Sequence, residues 1–494
     1  MLVRPALLAL CCALFANVAA AEPVDRAATL AALDPLFEQF MADQHVPGLV
    51  YGVVADGALL RVRAFGVQDL ETNAPVTADS VFRIASMSKQ ITALATLKLR
   101  DAGKLELDAP AERYVPQLAK LRYPTTDSPR ITVRDLLSHS AGFVTDDPWG
   151  DRQLDMSPAE FSRFIAAGFP FSRAPQIDYE YSNTGYAILG RVISNRAREN
   201  YAQYIGRAFF APLGMTSTGY DIGRVPPSKL ARGYRWENEA WRTEPMLGPG
   251  EYGAMGGMIT SANDYAKYVA WLLSAWPPRD GAEDAILRRA SMREIVRPQT
   301  FTAVYSSLEK DGCPRAASYA FGMISARDCL LNFHFSHSGG LPGFGSNVAF
   351  VPARNLAVFA FANRTYAPAA RAVRAALVEL VHSGAFPERV VPVSAGLAEM
   401  AAAAVRVYDR GDVTSERAAL AENLLLDRDA DLRNAELAEI RRKAGTCRAP
   451  QPPLADKAMG GTLTLACELG TVRVTLLLAP TTPATLQRLE YVAE

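Results

Sequence analysis

The chain has no surplus of charge of either sign: 52 Lys and Arg stand against 52 Asp and Glu. No basic or acidic field therefore favours nucleic acid or an anionic lipid surface, and neither is expected as a partner. Long apolar runs are missing too. Leu7–Val18 is shorter than the about 20 residues a membrane span needs, and no later segment is long and uncharged enough to replace it. Cysteine is scarce, at six, and those beyond the first 21 residues have no Cys or His neighbour at zinc spacing. Neither a metal nor another cofactor is expected. A Gly-x-Ser-x-Gly elbow is absent, which sets aside an α/β-hydrolase, and no tandem repeat of fixed period points to a solenoid.

What is present begins with an export signal. Arg4 supplies a positive start, Leu7–Val18 an apolar stretch, and Ala19-Ala20-Ala21 the small residues a signal peptidase requires. Residues 1–21 are thus expected to be a signal peptide, and the mature protein to work in the periplasm or outside the cell. Losing Arg4 takes the formal charge from 0 to −1 (0 minus 1). Cys11 and Cys12 leave with it, and Cys313, Cys329, Cys447 and Cys467 remain in an oxidising compartment. Two local pairs, 313 with 329 and 447 with 467, are the simplest arrangement; free buried thiols are the alternative.

The pattern then divides the chain. A helix over 27–43 leads into a strand at Leu49–Val54, a turn at Asp56-Gly57 and a partner strand at Ala58–Phe65. From about Ser86 to Ala275 helical periods dominate. Strand alternation returns at Tyr319–Ile324, Leu330–His337, Asn347–Val351 and Leu356–Ala362, followed by a helix over Ala369–Val381. Terminal strands sharing one antiparallel sheet, flanked by helices and interrupted by a helical lobe, make an α+β fold with its active site where sheet and lobe meet. Phe386-Pro387 and Val391-Pro392 mark a linker. The expected division is 22–386 for the main domain and 387–494 for a small α+β domain, with helices over 395–408, 415–425 and 429–444 ahead of three strands.

Three short boxes carry chemistry. Ser86-Met87-Ser88-Lys89 opens an amphipathic helix, and its three-residue step puts Ser86 and Lys89 on one face. A hydroxyl needs a base to become a nucleophile, and a desolvated lysine amine serves. Tyr181-Ser182-Asn183 follows, with phenol and carboxamide two residues apart and so able to face one cleft. His337-Ser338-Gly339-Gly340 ends a strand; Gly339 admits a ligand to the strand edge, and Gly340 offers a backbone N–H. The first two boxes have bland alternatives: a capping serine, and an N-cap Asn beside a half-buried Tyr. Two further copies differ in context. Ser307-Leu308-Glu309-Lys310 has no helical apolar run behind it and reads as a surface loop, while His382-Ser383-Gly384 closes a helix.

Ser-x-x-Lys, Tyr-x-Asn and His-x-Gly in this order resemble the active-site boxes of the class C β-lactamase and penicillin-binding serine hydrolase family, over roughly residues 27–383. Leu136–Gly142 also resembles a family stretch, and His139 within it reads as a structural hydrogen-bonding residue. The resemblance implies a β-lactamase/transpeptidase-like fold and an acyl-enzyme mechanism on a small-molecule or peptide substrate. Ser86 would be the nucleophile, Lys89 its base, Tyr181 a proton shuttle favouring phenolate beside lysine, and Asn183, His337, Ser338 and Gly339 substrate contacts. The N–H groups of Ser86 and Gly340 would form the oxyanion hole. His337 stands where true β-lactamases carry lysine, which points to D-amino-acid peptides or small esters, as in carboxypeptidase, aminopeptidase and esterase relatives. A β-lactamase, or a penicillin-binding sensor that acylates without turnover, is the alternative. Nothing in the sequence sets the oligomeric state.

Overall fold

The computed structural model describes residues 24–305, 313–448 and 452–494. The expected signal peptide and the second Ser-x-x-Lys at Ser307 lie outside them. The chain forms two compact units that meet in sequence at Pro387/Glu388.

The first unit is built on a nine-stranded antiparallel sheet. Its strands are β1 (Gly48–Ala55), β2 (Ala58–Asp69), β3 (Ala74–Pro75), β4 (Thr300–Tyr305), β5 (Arg315–Tyr319), β6 (Ile324–Asp328), β7 (Asn332–Leu341), β8 (Phe344–Val351) and β9 (Leu356–Ala362). Their order is β3-β2-β1-β9-β8-β7-β6-β5-β4, so the first and last segments meet as β1 and β9, from Leu49↔Ala362 to Ala55↔Leu356. Both central strands are buried along their whole length, which explains their continuous apolar runs.

Side chains of these strands alternate between two cores. Val50, Val54, Phe359 and Phe361 join the core shared with the helical lobe, whereas Leu49, Tyr51, Val53, Val358 and Ala360 face the other layer. That other layer comprises α1 (Arg26–Ala31), α2 (Asp34–Asp43) and α6 (Ala370–His382). On the lobe side, α3 (Ser88–Asp101) and α4 (Asn183–Ala197) are buried on most faces. Helix α5 (Ala262–Leu273) presses Tyr265 onto Phe359 and Phe361 at 5.3 and 5.4 Å. Each such aromatic contributes about 1.5–3 kcal/mol on burial.

Some details depart from the sequence reading. The single helix over 27–43 is two, because Pro35 lacks an N–H and takes a first-turn position, starting α2 afresh. The strand read at Tyr319–Ile324 is the turn between β5 and β6, where Gly322 has φ +73 and passes over the backbone of Lys89. Strand β4 and most of β5 and β6 went unread.

The second unit packs α7 (Ala395–Arg410) and α8 (Ala430–Ala444) on a four-stranded antiparallel meander, β10 (Leu454–Lys457), β11 (Gly460–Cys467), β12 (Gly470–Leu478) and β13 (Leu486–Ala493). The helix read over 415–425 is instead a 3₁₀ stretch at Val413–Ala419, kinked at Glu416, and a short helix at Glu422–Asp427, because Leu420 and Ala421 between them are extended. Disulfides join Cys313 to Cys329 and Cys447 to Cys467. Among the described residues, no helix is long and apolar enough to cross a membrane.

Candidate active site

Ser86 lies in a 3₁₀ turn, Ala85–Met87, that feeds α3. The turn is held from both sides: Ile84 N donates to Met258 O at 3.1 Å, and Met258 N donates to Ser88 Oγ at 3.0 Å. Ala85 adopts φ +51, a left-handed conformation that costs a non-glycine residue about 1–3 kcal/mol and sharpens the bend before Ser86.

Lys89 is wholly buried one turn on, and its Nζ has three oxygen partners: Ser86 Oγ at 2.9 Å, Asn183 Oδ1 at 2.7 Å and Met255 O at 2.9 Å. Burial lowers its pKa to about 8, against the upward pull of Asp147, Asp151 and Asp146. A neutral amine has two hydrogens and one lone pair. Asn183 Oδ1 and Met255 O can only accept, so they take the hydrogens and the lone pair is left for the Ser86 O–H.

The segment before α4 brings in the second box. Ser182 caps the helix by accepting from Gly185 N at 3.3 Å, and its own N–H donates to His139 Nδ1 at 3.2 Å. The His139 ring lies 4.3 Å from that of Tyr181 and 4.4 Å from that of Tyr319. His139 therefore holds the Tyr181 segment, and burial keeps it uncharged. The Tyr181 ring stands 4.9 Å from Lys89 Nζ, and the Ser86 hydroxyl beside its phenol draws the phenol's pKa down against larger opposing effects. Burial, then Asp147, push the phenol well above its ordinary value, so the resting tyrosine is protonated rather than phenolate.

Asn183 is fully buried and does not offer a free carboxamide to a substrate. Its Oδ1 faces Lys89, and its Nδ2 donates to Asp147. Asp146 accepts from Asn183 N at 2.6 Å and from Thr184 N at 2.7 Å. Asp151, in the following turn, accepts from Tyr366 OH at 2.8 Å, and burial and Asp147 raise it to about 7. These aspartates were missed in the sequence; 36 residues separate Asp147 from Asn183, and no local pattern links them.

The third box lines the other wall. Strand β6 pairs with β7 only as far as Ser336, so beyond it that edge of β7 is free to approach the Ser86 turn. Gly339 makes the approach possible: a Cβ there would overlap Ile84 O and Ser346 Oγ and lie 3.0 Å from Ala85 Cβ. His337 shares the Gly339 face and is buried, whereas Ser338 and Gly340 point to the opposite face and Ser338 is exposed. Burial, then Lys89, lower the His337 pKa to about 3. The imidazole is thus neutral and gives no positive charge to a carboxylate. Ser338 Oγ accepts from Asn347 Nδ2 at 3.0 Å. The Tyr366 ring covers Gly340, within 2.7 Å of where a Cβ would be. Ser86, Lys89, Tyr181, Asn183 and the Gly339 edge of β7 therefore converge.

Residues 33–383 match the β-lactamase family. Protein flp of Staphylococcus aureus is 26% identical over 337 residues, 67% of this chain and 62% of that relative's length, so the match spans less than two thirds of it. Esterase EstB of Burkholderia gladioli is 30% identical over 273 residues, 49% of this chain and 69% of the esterase. In fold, the chain is similar to an octameric penicillin-binding protein homologue from Pyrococcus abyssi, with TM-score 0.60 and 20% identity over 94% of this chain and 95% of that one. With a family match over most of its length, the chain belongs to the β-lactamase family of serine hydrolases.

Proposed function

We propose that this enzyme hydrolyses esters or amides through an acyl-enzyme on Ser86. The observation that carries the proposal is the sorting of hydrogen bonds at Lys89, which leaves its lone pair for Ser86. As Ser86 Oγ bonds to the substrate carbonyl carbon, its proton passes to Lys89, and the carbonyl oxygen takes the negative charge. The N–H groups of Ser86 and Gly340 receive that charge. On collapse the bond to the leaving group breaks. That group takes the Tyr181 proton, and the new phenolate recovers one from the Lys89 ammonium beside it. Water then repeats the sequence on the ester and frees Ser86.

The neutral His337 favours small esters or D-amino-acid amides and peptides over β-lactams, since the third box holds no fixed cation for a carboxylate. The pattern of Arg4, the apolar Leu7–Val18 and the small Ala19–Ala21 supports action in the periplasm or outside the cell.

The test is turnover of p-nitrophenyl acetate and labelling by a fluorophosphonate. Ser86→Ala is expected to lose both, and Ser307→Ala to keep both; a fully active Ser86→Ala enzyme would refute the assignment. A panel of D-Ala-D-Ala peptides, D-aminoacyl amides, short esters and a chromogenic cephalosporin ranks the substrates. Steady turnover separates a hydrolase from a sensor that gives one stoichiometric burst.

A further inference from the structure

Neighbouring aspartates hold Asn183 in different ways. Asp146 binds the main chain at the start of α4, accepting from Asn183 N, from Thr184 N and from Thr184 Oγ1 at 2.7 Å. Asp147 touches only the side chain, through Asn183 Nδ2. The two ends of a carboxamide are nearly the same size, so packing alone does not choose which end faces Lys89. Hydrogen-bond polarity does.

We propose that Asp147 is a positioning residue: by accepting from Asn183 Nδ2 it fixes the carboxamide with Oδ1 toward Lys89, and so turns the lysine lone pair on Ser86. The proposal rests on the acyl-transfer reading above and assigns a residue that none of the three boxes contains.

The alternative orientation shows what is at stake. A flipped Asn183 would set Oδ1 against the Asp147 carboxylate, two acceptors with no hydrogen between them. Its Nδ2 would then face Lys89. A neutral amine would give its lone pair to that N–H rather than to the Ser86 hydroxyl, and an ammonium would meet donor with donor. Either way Ser86 would lose its base. An ionised Asp147 forbids this orientation because a carboxylate has nothing to donate. Asp147 itself is exposed on the loop before the turn at Gly150–Arg152, so it can be exchanged without opening the core.

Charge has to be separated from orientation. Lys89 is faced by Asp146, Asp147 and Asp151 from that loop and turn, by the Tyr181 and Tyr186 rings, and by His139 and His337, both neutral. Removing the Asp147 charge lowers the lysine pKa and moves the acidic limb of the rate profile to lower pH. Releasing the carboxamide lowers the plateau above the limb, where Lys89 is already neutral. The plateau therefore reports orientation alone.

The experiment measures the p-nitrophenyl acetate acylation burst of the full chain across pH 5–10, with melting curves as a folding control. For Asp147→Ala the plateau is expected to fall about 10- to 100-fold with KM unchanged. The exchanged pair Asp147→Asn with Asn183→Asp gives position 183 acceptors only. It is expected to recover most of the plateau, with the limb moved to higher pH by a carboxylate touching Lys89. An Asp147→Ala plateau equal to wild type would overturn the proposal and leave Asp147 a remote charge. A fall in the plateau that the exchanged pair does not reverse would overturn it too. If the wild-type burst does not depend on Ser86, the acyl-transfer reading itself fails and this inference falls with it.

Discussion

Tyr319 donates its hydroxyl hydrogen to His337 Nε2 at 3.0 Å, while His337 Nδ1–H donates to Ser338 O at 2.6 Å. Both ring nitrogens are thereby used in one tautomer, and protonation would set a second donor against the Tyr319 hydrogen. Burial adds to this and holds the imidazole neutral down to about pH 3. His337→Gln, which can still accept from Tyr319, is expected to leave the acidic limb of kcat/KM in place. A limb that vanished or moved in this variant would show that His337 titrates in catalysis.

That limb belongs instead to Lys89 and its aspartates. Lys89 must be neutral to accept the Ser86 proton, and its pKa is lowered to about 8, so kcat/KM is expected to rise with pH through about 8. Asp151, at about 7, ionises in the same range and favours the ammonium, so the steps belong to the buried set rather than to one group. Asp151→Asn keeps an acceptor for Tyr366 and removes one negative charge. Its limb should move to lower pH; movement to higher pH would contradict the electrostatics of this site. Lys89→Met, which fills the space without a base, should lower kcat/KM by about 10²- to 10⁴-fold.

Gly339 offers a steric test of the cleft. Its missing Cβ is what lets β7 lie against Ile84 and Ala85, and the Ile84 carbonyl it would strike is backbone that cannot swing aside, with Ser346 Oγ tied to that same carbonyl at 2.8 Å. Gly339→Ala is expected to push β7 away from the Ser86 turn, lowering acylation by about 10²-fold through misplacement of the oxyanion donors. Circular dichroism should still show a folded protein. Wild-type labelling rates in a folded Gly339→Ala enzyme would mean that Gly340 N–H does not serve Ser86.

Local chemistry made the three boxes legible. Ser86 and Lys89 meet because a helix brings residues three apart together, and Gly339 marks a close approach of backbone. The β9 strand was readable as an unbroken apolar run because both of its faces are covered. Asp147, Asp151 and Tyr366 were not readable, since each earns its place through contacts that fold topology, not sequence distance, creates. The charge states of Tyr181 and His337 were hidden for the same reason. Burial sets them, and burial is a property of the assembled site. Strand β4 escaped because it is the edge strand: Phe301 and Val304 are 59% and 57% exposed, so no buried face imposed a strict alternation.

The two disulfides supply a stability prediction that leaves the cleft aside. Cys313–Cys329 closes 16 residues and ties the start of β5 to the end of β6, while Cys447–Cys467 closes 20 and ties the segment after α8 to the end of β11. In the chain-entropy picture a loop of either length restricts the unfolded chain by about 3 kcal/mol. Each bridge lies within one unit, and each unit has its own core. Replacing both Cys447 and Cys467 by Ser should therefore destabilise the 388–494 unit by about 2–4 kcal/mol, lowering its unfolding midpoint, while the Ser86 acylation rate stays at wild type. The Cys313→Ser, Cys329→Ser pair should weaken the first unit instead, through β5 and β6, of which β6 adjoins β7. Differential scanning calorimetry resolves which transition moves. Loss of acylation in the Cys447, Cys467 variant at a temperature where the first unit remains folded would show that the second unit supports catalysis.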